Sequence, residues 1–300
     1  RLDGVTGVQT CALPIFQLEK KPISFAVFMN SKTFLEISLS LLLIIWFGLS
    51  WAGKVTGFST SILIFCFVAI YLFKSRGISI HLPRRNWKKI LILGSPLILS
   101  HIGGWVYGMI DKIMINNLIN IESTGLYSIG YRFGMVVKMV ETAFSLAWLP
   151  FFYENIAKNK YENNLKIVKA TYIYLILLFM FAVFFGLIGK YLLFFMVDER
   201  FFGASKFILL ISIAYFFDGV WKVFTGYLVS SGRMKTYASI NMFSALLHLF
   251  LSYLLIKYLG LIGAAWATCI SMMAGAAVTI LIATRVHDMP WVRKGLFREG

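Results

Sequence analysis

Five charged residues, Asp111, Lys112, Arg132, Lys138 and Glu141, fall within two long apolar runs that lie between Lys89 and Tyr153. A charge near the centre of a bilayer costs at least about 2.5 to 3.5 kcal/mol on insertion scales, so such residues face a bundle interior or a wet cavity. Asp111 and Lys112 are neighbours in sequence and about 100° apart on a helix, so only one of them can point squarely into a cavity. Asp111 is the candidate, with Lys112 reaching towards the outer interface. Lys138 and Glu141 are three residues apart on one face, and Arg132 lies one to two turns further out, about 120° round. Asp218 and Lys222, four apart, repeat the device in a later run. Arg132, Lys138 and Lys222, with Asp111, form a candidate cavity for an anionic head group, and the carboxylates Asp218 and Glu141 are candidates for proton or ion coupling. A competing scheme neutralises the charges internally, pairing Lys138 with Glu141 and Arg132 with Asp111.

The elements that position these residues are membrane spans. About 20 consecutive, mostly apolar residues cross a bilayer as a helix, and on that criterion eight spans are expected, near 34–53, 57–73, 90–115, 124–150, 170–189, 207–230, 237–256 and 261–284. Lys and Arg concentrate in alternate connections: nineteen lie on one side and five, Lys54, Lys190, Arg200, Lys206 and Lys257, on the other. The rich side is cytoplasmic by the positive-inside rule. The expected fold class is therefore all-α, a polytopic transmembrane bundle. In the third span, Pro96 with Gly103 and Gly104 predicts a kinked or locally opened helix. In the eighth, Gly263, Ala267, Ser271 and Gly275 form a small-residue stripe for close helix packing.

Composition agrees with this class and excludes others. The 300 residues are 59% hydrophobic and 14% charged, too few polar side chains to coat a globule of that size. The net charge of +16 resides in short loops between apolar spans, so it marks membrane orientation and no nucleic-acid partner. Cys11, Cys66 and Cys269 support neither a disulfide framework nor thiol chemistry. His81, His101, His248 and His287 have no second ligand at helical spacing, so no metal or other cofactor is implied. The familiar hydrolase, nucleotide and metalloprotease motifs are absent, and no loop is long enough to hold a soluble catalytic domain, so no enzyme is expected.

Residues 1–15 read as foreign to the rest, since Val5 to Ile15, VTGVQTCALPI, resembles a translated sequencing adapter. Sliding the chain by 203 positions places Lys32 on Lys235, Lys54 on Lys257, Gly57 on Gly260 and Cys66 on Cys269, with eight identities in 35 positions. That offset of six spans predicts a parallel repeat of a six-helix unit, the first unit beginning about 115 residues before residue 1. The expected organisation is then 16–83 as the last two helices of an N-terminal lobe, 84–287 as a six-helix C-terminal lobe, and 288–300 as a cytoplasmic tail.

The run SPLILSHIGGWVYGMIDKIMINNL, followed by STGLYSIGYRFGMVVKMVETAFSLAWLPFFYENI, resembles the seventh and eighth helices of the polysaccharide transport family of the multidrug/oligosaccharidyl-lipid/polysaccharide (MOP) flippase superfamily. The features that carry it are Pro96, the Asp111 and Lys112 pair, a helix start at Gly125-Leu126-Tyr127-Ser128 and an ending at Ala147-Trp148-Leu149-Pro150. FQLEKKP at 16–22 and GLIGAAWAT at 260–268 are similar to that family's loop before its fifth helix and the start of its twelfth. The resemblance implies two lobes around a V-shaped cavity and movement of undecaprenyl-pyrophosphate-linked oligosaccharides across the bacterial inner membrane, alongside glycosyltransferases and a polymerase. A cation-coupled multidrug exporter of the same superfamily is the nearest alternative. A membrane polysaccharide polymerase or acyltransferase is a more distant one.

Overall fold

The computed structural model describes residues 22–75, 107–158, 160–287 and 289–291, and all regular structure among them is helical. Pro96, His101, Gly103 and Gly104 lie outside the described residues, as do segment 1–15 and the basic residues from Arg76 to Lys89. The chain divides into two compact units, Arg1–Ile98 and Leu99–Gly300.

In the first unit, α1 (Pro22–Ile45) and α2 (Ser50–Ser75) form a hairpin. The expectation of one span over 34–53 is corrected: the chain turns at residues 46–49, where Gly48 adopts φ 63°. That left-handed conformation ends a helix cheaply only for glycine. Gly57, matched in sequence to the turn glycine Gly260, instead lies inside α2, where an added Cβ would fall 2.7 Å from the Ser40 backbone nitrogen. The structural counterpart of Gly260, at φ 64°, is therefore Gly48 and not Gly57. The 203-position register does not superpose the helix boundaries. Phe28 and Phe65 close the hairpin edge to face, their ring centroids 5.0 Å apart.

The second unit contains α3 (107–118), α4 (Ile121–Gly134), α5 (Val136–Ala157), α6 (Tyr161–Met196), a 3₁₀ turn at Glu199–Ala204, α7 (Ser205–Ser230), α8 (Met234–Leu259) and α9 (Leu261–Val286). Among the described residues, seven segments are long and apolar enough to cross a membrane; the expected third span is described only from residue 107. Such helices are apolar on all faces because lipid and protein neighbours alike are apolar, and they satisfy every backbone group internally. α6, with 36 residues, is about 54 Å long against a hydrocarbon core of about 30 Å, so its polar first turns extend beyond the lipid.

α7 is the central helix, packing against α4, α5, α6 and α9. α8 and α9 are joined by Gly260 alone, and the small stripe of α9 is buried as expected, with Gly263, Ala267, Ser271 and Gly275 all inside the bundle. Two boundaries read from the sequence are corrected. α4 begins at Ile121, capped by the Asn120 side chain, which accepts from the Ser123 amide at 2.8 Å, so Gly125 to Ser128 lie one turn further in. α5 carries Pro150 in its interior and runs on to Ala157, because the buried Trp148 and Phe152 hold that turn against the core. The helix axis is interrupted at Met135, between α4 and α5, where the Lys138 amide reaches back only three residues to the Met135 carbonyl at 3.0 Å.

Beyond the membrane segments, Asp198 caps the 3₁₀ turn and accepts from the Arg200 side chain at 2.9 Å, which holds its carboxyl below the ordinary value. After α9, Trp291 folds back onto α6 and α7, its carbonyl accepting from Tyr172 at 2.9 Å and its ring packing on Phe224.

Candidate functional site: an exposed cationic face and a buried carboxylate

α4 and α5 carry Arg132 and Lys138 on opposite sides of the Met135 interruption, and both side chains are exposed. The Lys138 ammonium lies 5.5 Å from the Tyr215 ring of α7, and that of Lys112 lies 5.2 Å from the Tyr131 ring of α4. The two tyrosines join these cations: Tyr215 donates to the Tyr131 hydroxyl at 2.7 Å, and their rings meet edge to face at 6.0 Å. The result is a cation, two hydrogen-bonded aromatic rings and a second cation, contributed by α3, α4, α7 and α5. Cations over aromatic faces gain about 0.5 to 1 kcal/mol at exposed sites while keeping their charge available. Arg132 lies close enough to Lys112 for the two charges to repel.

A second group lies between α5 and α7. Glu141, 0% exposed, accepts from Lys222 and from the Ser145 hydroxyl at 2.6 Å, and Lys222 also meets Asp218 at 3.1 Å. The Lys222 side chain is 40% exposed and that of Asp218 18%. The internal neutralisation expected from sequence is thus corrected at Glu141: its partner is Lys222 on α7, and Lys138 lies on Tyr215. α7 approaches closely here because Gly219 has no side chain. A Cβ at that position would lie 2.4 Å from Leu178 and 3.2 Å from Glu141 Cγ.

Asp111 lies elsewhere. It is 2% exposed, inside the unit, and its partners come from three other helices. Tyr127 of α4 donates to Oδ2 at 3.1 Å, Thr268 of α9 to Oδ2 at 2.8 Å, and Ser252 of α8 to Oδ1 at 2.6 Å. His248 Nε2 is 3.4 Å from Oδ1. Arg132 is therefore not its charge partner, since hydroxyl donors occupy the carboxylate; a buried carboxylate needs such donors. The structure brings Arg132 and Lys138 to an exposed face, puts Lys222, Asp218 and Glu141 together, and separates Asp111 from both. Sequence reasoning missed His248, Ser252, Tyr127 and Thr268 as a group. The available signal was spacing: His248 and Ser252 are four apart, and Thr268 and Ser271 three apart, so each pair shares a helix face.

Two family models match: MatE over residues 96–254, and "Polysaccharide biosynthesis protein" over residues 5–156, a range that includes the segment at 5–15. A protein of the Lsg locus of Haemophilus influenzae is 22% identical over 263 residues, covering 84% of this chain and 65% of its own length. A multidrug resistance MATE family transporter of the MOP superfamily, in an outward-facing conformation, matches with a TM-score of 0.63 at 17% identity, over 87% of this chain and 62% of that one. A MATE structure in the straight conformation gives 0.65 at 15% identity, over 90% and 64%. A MOP superfamily transporter from Pyrococcus furiosus, described as having reversed polarity in its binding pocket, gives 0.63 at 16% identity, over 87% and 62%. This chain thus spans slightly less than two thirds of the length of each. At these identities the structures establish the fold, an all-helical multi-pass membrane architecture.

Proposed function

Because this chain belongs to the families matched by the MatE and polysaccharide biosynthesis protein models, we propose that it serves to flip a lipid-linked oligosaccharide. The cargo would be an undecaprenyl-pyrophosphate-linked glycan, moved from the cytoplasmic to the outer leaflet of a bacterial inner membrane by alternating access. The observation that carries this reading is the pair of exposed cations Arg132 and Lys138, with Lys112 half-buried over the Tyr131 ring and Lys222 40% exposed. A pyrophosphate presents several anionic oxygens to such a face, and arginine and lysine recognise it through charge-assisted hydrogen bonds. The match to a polysaccharide biosynthesis family over half of the chain supports the same reading.

A cation-coupled drug exporter is the second reading. It is favoured by the MatE match and by the presence of Asp218 and Glu141. The charge balance argues against it: Glu141 is buried against Lys222, so it presents no free carboxylate to a cationic drug, whereas Arg132 and Lys138 are exposed.

Ligand choice separates the two. With the protein in lipid nanodiscs, undecaprenyl pyrophosphate is expected to bind and tetraphenylphosphonium is not. Charge-assisted hydrogen bonds contribute about 1.5 to 3 kcal/mol, and exposure reduces that. Arg132→Ala combined with Lys138→Ala should therefore weaken pyrophosphate-lipid binding about tenfold or more. Binding of the lipophilic cation in place of the pyrophosphate lipid would establish the exporter instead. In a flippase-null strain carrying the gene, unchanged surface polysaccharide with this double variant, at normal protein level, would sink the cationic-face mechanism.

A further inference from the structure

We propose that Asp111 and His248 form a buried site for a single proton, shared across α3 and α8 and enclosed by α4 and α9. The site is independent of which cargo is carried. His248 is 0% exposed, so each of its two ring nitrogens needs a partner inside the protein. Nδ1 lies 3.1 Å from the Ser271 hydroxyl oxygen. That hydroxyl donates its own hydrogen to the Ala267 carbonyl at 2.6 Å, so its oxygen can only accept from the ring. The neutral imidazole therefore carries its hydrogen on Nδ1 and turns the bare lone pair of Nε2 towards Asp111 Oδ1, 3.4 Å away.

A lone pair facing a carboxylate oxygen is unfavourable, and Nε2 is a buried nitrogen without a hydrogen-bond partner. One added proton resolves both defects. Placed between Nε2 and Oδ1, it converts the repulsive contact into a hydrogen bond, and both ring nitrogens then have partners. The remaining oxygen valences of Asp111 are already filled by Ser252, Thr268 and Tyr127. Tyr107, one turn before Asp111 on α3, stacks flat on the imidazole with ring centroids 4.4 Å apart and fixes its plane, its own hydroxyl donating to the Ser244 carbonyl at 3.1 Å.

Among the described residues, the titratable groups facing the pair are few. They are Tyr107 and Lys112 from α3, Tyr127 and Tyr131 from α4, and Tyr215 and Asp218 from α7, whose charges reach Asp111 or Tyr107. α9 contributes only hydroxyls, Thr268 and Ser271. Among the described residues, the formal positive charge that reaches Asp111 is that of Lys112, and a proton is the further counter-charge that the His248 lone pair can hold inside the bundle. A hard metal cation prefers an all-oxygen shell, and the open corner of this site is an imidazole nitrogen. Because the proton ties α3 to α8 while the hydroxyls tie in α4 and α9, its gain or loss changes the packing of four elements together.

The test is nitrogen NMR of ring-labelled histidine in the full chain in nanodiscs, with the His248 signal identified by its absence from His248→Asn. That signal is expected to change from neutral to doubly protonated form, or to show a shared proton, between about pH 8 and 5, and to stay neutral throughout in Asp111→Asn. Should Asp111→Asn fail to fold, Ser252→Ala provides the second reading. Losing one donor leaves an Oδ1 lone pair free to take the shared proton, so the His248 transition should move to higher pH than in the parent. A His248 signal that does not titrate, that titrates identically in both variants, or that responds to sodium at fixed pH would overturn the proposal.

Discussion

Glu141→Ala is expected to lower the melting temperature of the purified protein in detergent by roughly 3 °C, the equivalent of about 2 kcal/mol in a chain of this size. Glu141 has no exposed surface and accepts from Lys222 and Ser145, so its removal leaves a void beside Gly219 and a lysine with Asp218 as its remaining ion-pair partner. The full penalty of about 3 to 5 kcal/mol for breaking a buried ion pair is not expected, because the Lys222 side chain is 40% exposed and can turn to water. Two comparisons sharpen the result. Asp218→Asn, at a partly solvated position, should cost less than half as much. Glu141→Ala with Lys222→Ala should cost less than the sum of the singles, since removing both partners leaves no stranded charge. A melting point within a degree of the parent for Glu141→Ala, or strict additivity in the double variant, would mean that the pair does not hold α5 to α7.

The second large effect is a pair of glycine substitutions with opposite signs. A Cβ on Gly263 would lie 2.1 Å from the Leu255 carbonyl oxygen and 2.4 Å from its carbonyl carbon. Those atoms are backbone, and the single-residue connection at Gly260 prevents α8 and α9 from moving apart without disrupting both. Gly263→Ala is therefore expected to cost about 3 kcal/mol, the upper end of overpacking penalties, and to reduce the yield of folded protein. At Gly125, in α4, nothing lies within 4 Å of an added Cβ. There Ala gains about 0.5 to 1 kcal/mol by restricting the unfolded chain and improving helix propensity. Thermal melts of the two variants decide it: equal or reversed shifts would show that the α8–α9 contact is looser than described.

Much of the architecture was legible from one property, the length of the apolar runs. A bilayer imposes a length of about 20 residues and forbids unpaired backbone, so the all-helical class and the long apolar helices follow from hydropathy. The stripe at Gly263, Ala267, Ser271 and Gly275 was legible for a related reason, because small residues at helical spacing have little other use in such a helix. The register of the repeat was not legible. Lipid-facing positions accept any large apolar residue, so the identities that matched Gly57 to Gly260 carried little information, and the glycine that turns the first hairpin, Gly48, is identified by its backbone angle.

The charged residues divide in the same way. Their types and depth, read without coordinates, established that Arg132, Lys138, Lys222, Asp218, Glu141 and Asp111 require partners or water, because an unpaired charge in hydrocarbon is too costly to tolerate. Which partner each obtains depends on how six helices rotate about their axes, and no local pattern encodes that. Tertiary packing alone assigned Lys222 to Glu141, placed Lys138 on the Tyr215 ring, and moved Asp111 off the cationic face to the hydroxyls of Ser252, Thr268 and Tyr127 beside His248. The sequence by itself determined that these charges must be satisfied inside a membrane bundle. The fold decided that one group stays open to solvent while the other closes around a carboxylate, because helix rotation sets which side chains share an interface.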